Sequence, residues 1–137
     1  MSYLLDTNVI SELRKGERAD ARVREWFGGL DDPEIYLSVL TIGEIRRGIE
    51  SVRRRDRDSA AALDSWLARL SEAHRDRILA VDRTVAEEWG RMNVPDPLPV
   101  VDGLLAATAK VAGLVFVTRN VADVKGSGIE LFDPFST

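Results

Sequence analysis

An α/β sandwich, with helices layered on both faces of a mainly parallel central sheet, follows from three features of the sequence. Short apolar runs rich in β-formers alternate with longer segments of helical periodicity, the order of a strand–helix chain. The segments between them are brief and carry turn residues. At 137 residues the chain suits a single domain spanning residues 1–137, long enough to bury roughly two-thirds of the unfolded surface.

The elements follow in order. Residues 3–5 read as a strand ending at Asp6, and residues 8–15 as a helix with Gly16 as its stop. After the turn cluster Asp31-Asp32-Pro33, the run IYLSVL (residues 35–40) reads as a second strand, and Thr41 opens a helix reaching about residue 53. Residues 58–74 place Ala61, Ala62, Trp66, Leu67 and Leu70 on one helix face. Residues 78–81 suit a short strand, and residues 82–92 a helix that contains Trp89. The segment NVPDPLP, residues 93–99, holds three prolines and must be a loop. A helix over residues 100–112 ends at Gly113, a good helix stop. Residues 114–117 form a third long strand, residues 120–128 a loop, and residues 129–132 a last strand before Asp133-Pro134. Right-handed crossovers are expected for such a chain. The strand ends Leu5, Leu40 and Val117 are each followed within a few residues by an acid or an amide.

Composition narrows the chemistry. The chain has 19 Lys plus Arg, 23 Asp plus Glu, one His and no Cys, with 31% charged residues and 45% hydrophobic ones, a globular balance. Without cysteine there is no disulfide, no thiolate zinc site and no cysteine nucleophile, and the single His74 excludes a multi-histidine metal site. No apolar run approaches a membrane span, and MSYLLDTNVI lacks the basic start and cleavage site of a signal peptide. A cytoplasmic protein whose metal ligands, if any, are oxygens is the expectation. The net charge of −4 does not mark a nucleic-acid binder. Yet Arg46, Arg47, Arg53, Arg54, Arg55 and Arg57 form a dense run, which reads either as a solvated helix face or as part of a polyanion contact.

The acids carry the functional argument. Each has an ordinary explanation: Asp6 as a helix N-cap, Glu44 as the partner of Thr41 in a capping box, Asp102 as a first-turn acid favoured by the helix dipole, and Asp123 in an Asx turn. Together they have another. In an open parallel sheet, residues just past strand ends gather along one edge, where such folds bind ligands. Carboxylates sharing that edge repel one another unless a cation joins them. Oxygen ligands without His or Cys suit Mg²⁺ or Mn²⁺, and such an ion lowers the pKa of a bound water enough to attack a phosphate ester.

The strings LLDTNVISEL, SVLTIGEIRRGI, VDGLLAATA and VFVTRN, in this order, resemble the motifs of PIN-domain ribonucleases. The resemblance is strongest to the VapC-type toxins of toxin–antitoxin pairs, including the FitB-like branch, and it extends to the terminal LFDPF. It implies a PIN-like fold and a Mg²⁺-dependent endoribonuclease, with Mn²⁺ as a substitute ion, in which Asp6, Glu44 and Asp102 are metal-binding acids. The family's fourth acid follows the last long strand; here Thr118-Arg119-Asn120 places an amide there, so that Asp123 stands in, directly or through water. Thr7 and Asn8 match the family's LDTN string and would orient Asp6 or a bound water. The resemblance also implies a homodimer, a tight complex with a VapB-like antitoxin, higher assembly with that antitoxin, and a tRNA or ribosomal RNA substrate.

Other readings fit less well. An aspartyl phosphatase would want an acid two residues past Asp6, where Asn8 stands. A receiver-like module would need a lysine near the last strand, and Lys125 lies well beyond Val117. A catalytically silent PIN-like module that binds RNA or protein is the alternative, and Asn120 is its best argument. His74 reads as a surface residue, and Trp26, Trp66 and Trp89 as packing groups. Gly126-Ser127-Gly128 follows Lys125 in the wrong order for a phosphate loop. Arg119, beside the acidic edge, is placed either to grip a phosphate or to form a surface salt bridge.

Overall fold

The computed structural model describes residues 1–31, 33–126 and 128–136. Asp32 of the turn cluster and Ser127 of the glycine loop lie outside the described residues. The middle of the sheet is β1 (Ser2–Leu5), which pairs in parallel with β2 (Glu34–Ser38) on one side and β4 (Val115–Val117) on the other. Beyond β2 lies β3 (Ile78–Leu79), and beyond β4 lies β5 (Leu131–Phe132), giving the order β3-β2-β1-β4-β5 with every pairing parallel. The chain builds one half of the sheet outward from β1, then crosses to the other half, so the topology reverses between β1 and β4.

Helices cover both faces, as an α/β/α sandwich requires. One face carries α1 (Thr7–Arg14), α2 (Ala21–Gly28), α3 (Val39–Arg53) and α4 (Arg57–Ala73), packed around Leu5, Val9, Val23, Leu37, Ile49 and Leu67. On the other face α6 (Val100–Ala112), backed by α5 (Arg83–Met92), lays Leu105, Ala106 and Ala109 against Leu4 and Phe116, with Val124 of α7 (Val121–Val124) closing the cluster. The leucine and alanine spacing of α6 thus faces the sheet, and Gly113 ends the helix with φ +70°, a left-handed conformation that glycine adopts without strain.

The tryptophans pack as expected. Trp26 stacks against Tyr3 and Phe132, Trp66 lies beneath the Arg14 guanidinium, and Trp89 presses on Gly103. A Cβ at Gly103 would come within 3.2 Å of both the Trp89 indole nitrogen and the Leu98 Cβ. Asn93 closes the proline loop behind this contact, donating to the Trp89 carbonyl at 2.7 Å and accepting from Leu98 N–H at 2.8 Å. His74 is half-buried rather than a surface residue, because its ring bonds the Leu70 carbonyl at the end of α4.

Three further local expectations are corrected, the first being the loop over residues 120–128, which holds α7 at Val121–Val124, and one unassigned stretch proves helical. The segment Ala21–Gly28 is helical although its charged composition gave little periodicity; Asp20 caps it by accepting from Arg22 N–H at 2.8 Å, and only Val23 is buried. The second strand ends at Ser38, not Leu40, since the Ser38 hydroxyl caps α3 by accepting from Leu40 N–H at 3.0 Å. Val39 and Leu40 therefore belong to the helix. Thr41 consequently sits inside α3, fully buried with its hydroxyl unpartnered, and the capping box with Glu44 does not form.

Ser38→Ala should therefore cost about 1 kcal/mol of unfolding free energy, whereas Thr41→Val should cost nothing or stabilise, because it removes an unsatisfied buried hydroxyl. Urea unfolding of the two variants checks the assignment, and a Thr41 cap would give the opposite order.

Candidate active site

The parallel register Leu5↔Val117 sets the next residues of the two strands, Asp6 and Thr118, beside each other at the reversal point. Asp6 N–H donates to the Val117 carbonyl at 2.9 Å, which carries the pairing one residue past β1. The Asp6 side chain is only 3% exposed and fully engaged. One oxygen caps α1 by accepting from Thr7 N–H at 2.7 Å; the other accepts from the Thr118 hydroxyl at 2.7 Å and from the Asn8 amide at 3.1 Å. The N-cap explanation of Asp6 is thus correct, and it does not exhaust what holds this side chain.

Thr7, whose backbone serves that cap, turns its hydroxyl to the Glu44 carboxylate at 2.5 Å. Glu44 reaches it from the first turns of α3, so the acid that no longer caps its own helix points across to the end of β1. Asn8 accepts from Arg119 N–H at 3.3 Å, and the Thr118 hydroxyl accepts from Asn120 N–H at 3.0 Å. The first of these bonds ties together the chain segments that follow β1 and β4, and the second braces the latter segment.

Asp102 stands in the first turn of α6, whose N-terminus faces this edge, and Asp123 lies in the first turn of α7. Burial, then the charges of Asp6, Asp123 and Glu44, push the Asp102 carboxyl up to about 6. Burial also raises Asp6 above the usual carboxylate range, and Glu44 adds to the effect against the bonds from Thr118, Thr7 and Asn8. Asp102 therefore feels the charges of the other three acids, and Asp6 that of Glu44. Among the described residues none of the four makes an ion pair with Lys or Arg.

The basic residues are mostly engaged elsewhere. Arg46 and Arg53 both reach Asp64 on α4 at 2.7 Å, and Arg53 also pairs with Glu50 at 3.0 Å, so part of the arginine run fastens α3 to α4. Among the described residues the Arg119 guanidinium forms no ion pair. It lies 3.7 Å over the Phe135 ring, a cation–π contact. Asn120 precedes α7 without a side-chain capping bond.

The donor chemistry fits a hard divalent ion, because every candidate ligand is an oxygen or a group that orients one. Among the described residues no three acids stand at spacing that would enclose an ion without moving. The arrangement is an open acidic cleft. Thr118 is the residue that sequence pattern alone undervalues, since it stands out there only within the Thr118-Arg119-Asn120 string. The signal was available in the parallel pairing of β1 with β4, which makes the residue after each strand a neighbour of the other.

An all-parallel α/β/α sandwich with acids at its reversal point defines a class of open α/β folds that bind ligands at that edge, and similarity narrows it. The PIN domain model matches residues 3–122, ending one residue short of Asp123. Toxin FitB of Neisseria gonorrhoeae (strain ATCC 700825 / FA 1090) is 29% identical over 139 residues, covering 96% of this chain and 97% of FitB. VapC ribonuclease Y4jK of Sinorhizobium fredii (strain NBRC 101917 / NGR234) is 29% identical over 146 residues, with 96% of each chain covered. The crystal structure of FitAcB from Neisseria gonorrhoeae superposes with a TM-score of 0.87 at 29% identity, over 98% of this chain and 99% of that one. The chain belongs to the PIN-domain family and is homologous to the FitB and VapC toxins.

Thr118→Val should destabilise the protein by about 1–3 kcal/mol at pH 7, since it removes a buried donor from a carboxylate, while Thr118→Ser should retain most of the stability. Denaturant titration of both variants checks this. A second expectation concerns pH. The Asp102 carboxyl rises from 3.8 to about 6 in the folded chain, so folding takes up protons between those values and this group's contribution to stability falls as pH rises through that window. Asp102→Asn should therefore be more stable than the parent at pH 7.5, by on the order of 1 kcal/mol after allowance for solvent screening, and equal to it near pH 3.5. Thermal melts of both proteins across pH 3.5–8 measure the difference.

Proposed function

We propose that this chain is a metal-dependent endoribonuclease toxin of a toxin–antitoxin pair, hydrolysing phosphodiester bonds in a structured RNA such as tRNA or ribosomal RNA. The observation that carries the reading is buried Asp6 at the end of β1, with Glu44 bonded to the neighbouring Thr7 and Asp102 raised by the charges of Asp6, Asp123 and Glu44, none of the four acids being ion-paired with Lys or Arg among the described residues. Four carboxylates so placed cost stability unless a cation offsets them. The relatives named toxin FitB and VapC ribonuclease Y4jK support the class of activity.

Asp6 and Asp102 would hold Mg²⁺, or Mn²⁺ in its place, with Glu44 and Asp123 completing the set directly or through water. When bound, the ion supplies a stronger water nucleophile and polarises the phosphate. The chain's own contribution is orientation. Thr7 N–H, Asn8 and Thr118 fix both oxygens of Asp6, so this carboxylate meets its ligand without losing rotamer freedom at that moment. The Thr7 hydroxyl keeps Glu44 turned toward the cleft. Asn8 holds the segment after β4 against the segment after β1, the Asn120 N–H bonds back to Thr118 within that segment, and Arg119 lies over Phe135. A cytoplasmic homodimer, silenced by a VapB-like antitoxin that covers the acids and joins it in a higher assembly, completes the proposal.

The alternative, a catalytically silent RNA- or protein-binding module, draws on Asn120 at the position where the family's fourth acid stands. One experiment separates them. Purified protein free of antitoxin is incubated with total cellular RNA in Mg²⁺ or Mn²⁺, with EDTA, and with Asp6→Asn in parallel. Discrete fragments that vanish with EDTA and fall by at least about a hundredfold in Asp6→Asn support the ribonuclease. Folded protein that leaves RNA intact in either ion supports the silent module.

A further inference from the structure

The arginines of α3 differ in what they do. Arg46 and Arg53 are held by Asp64 and Glu50. Arg47 is exposed and has no hydrogen bond or ion pair among the described residues. It stands one turn beyond Glu44, on the stripe of α3 that also carries Leu40 and Gly43.

A cleft of about 260 Å³ opens beside that stripe, lined by Val39, Leu40, Gly43, Glu44, Arg47 and Val101. It adjoins the acid site through Glu44 on α3 and through Val101, the residue before Asp102. Its apolar wall is bare: Val39 is 42% exposed and Val101 37% exposed. Gly43 leaves the floor open, since a Cβ there would meet nothing within 4 Å. The cleft thus combines a free guanidinium, an apolar wall and a border with the acidic centre.

A chain of phosphates entering an acidic site is repelled by it at every phosphate the ion does not neutralise. A free guanidinium next to that site offsets the repulsion and matches the phosphate fork. An apolar wall beside it suits the face of a base or a ribose.

We infer that this cleft is the subsite for the nucleotide flanking the cut bond, with Arg47 gripping the neighbouring phosphate and Val39 and Val101 covering the nucleoside. The inference rests on the ribonuclease reading and deepens it by naming a positioning residue for a single-stranded RNA segment.

The test uses full-length protein carrying Asp6→Asn, so that the probe survives, and a fluorescent single-stranded RNA oligonucleotide in fixed Mg²⁺ with rising NaCl. Adding Arg47→Ala should weaken binding about fivefold at low salt and reduce the slope of log affinity against log salt by about 0.7. Arg47→Lys should keep most of that slope, and Arg75→Ala, which lies before the N-terminal end of β3 whereas the cleft lies past the C-terminal end of β2, should change nothing. Equal affinity and slope for Arg47→Ala and its parent overturn the inference. So does a change in sedimentation of RNA-free Arg47→Glu, which would make this face a contact between copies of the chain. A parent that binds no RNA at all is a different result, because it removes the ribonuclease reading together with the subsite.

Discussion

The parallel pairing of β1 with β4 is the constraint on which the rest of this molecule depends. These strands are not neighbours in sequence, and their register brings Leu5 level with Val117. The bond from Asp6 N–H to the Val117 carbonyl extends that register, and the bond from Thr118 to Asp6 closes it with side chains. Were the register to slip by one residue, alternate side chains would exchange faces and Asp6 would lose its donor. The hydrophobic faces of Leu4, Leu5, Phe116 and Val117, all essentially buried, hold the register in place. Packing therefore sets the geometry of a polar centre that could not set it alone.

That centre works against the fold that holds it. Asp6 is buried with a raised pKa, and Asp102 is raised by burial and by its acidic neighbours. Among the described residues neither acid has an ion-pair partner to relieve it. The bonds from Thr7, Asn8 and Thr118 offset part of the penalty at Asp6, but no hydrogen bond does so at Asp102 among the described residues. The two acids are thus unequal, one prearranged and one held mainly by the helix that carries it. Residual strain of this kind is a cost that the rest of the scaffold must offset.

Much of this was legible in the sequence, for physical reasons. The order of strands and helices shows in the change of apolar period, and residues just past strand ends are pointed at one edge by topology, so Asp6 and the segment after Val117 could be located before any coordinates. Glu44 was found for a partly mistaken reason: Thr41-Ile42-Gly43-Glu44 satisfies the pattern of a capping box, but Ser38 had already taken the cap. An apolar, β-branched Val39 hides a helix start inside what reads as a strand. The helix at Ala21–Gly28 was missed because it buries only Val23 and so leaves no periodic stripe. Thr118 and the place of Arg119 over Phe135 depend on strand pairing and on a contact between residues 16 apart, neither of which local pattern encodes.

Asn93 clamps the base of the proline loop, and Trp89 meets Gly103 from behind. Helix α6 is thereby anchored by its own contacts, leaving the four exposed residues 94–97 outside the clamp. Changes of length or composition there need not displace the acid two positions into the helix. The loop can diverge in length and composition while the acid keeps its place on the helix, so the two are separately inheritable.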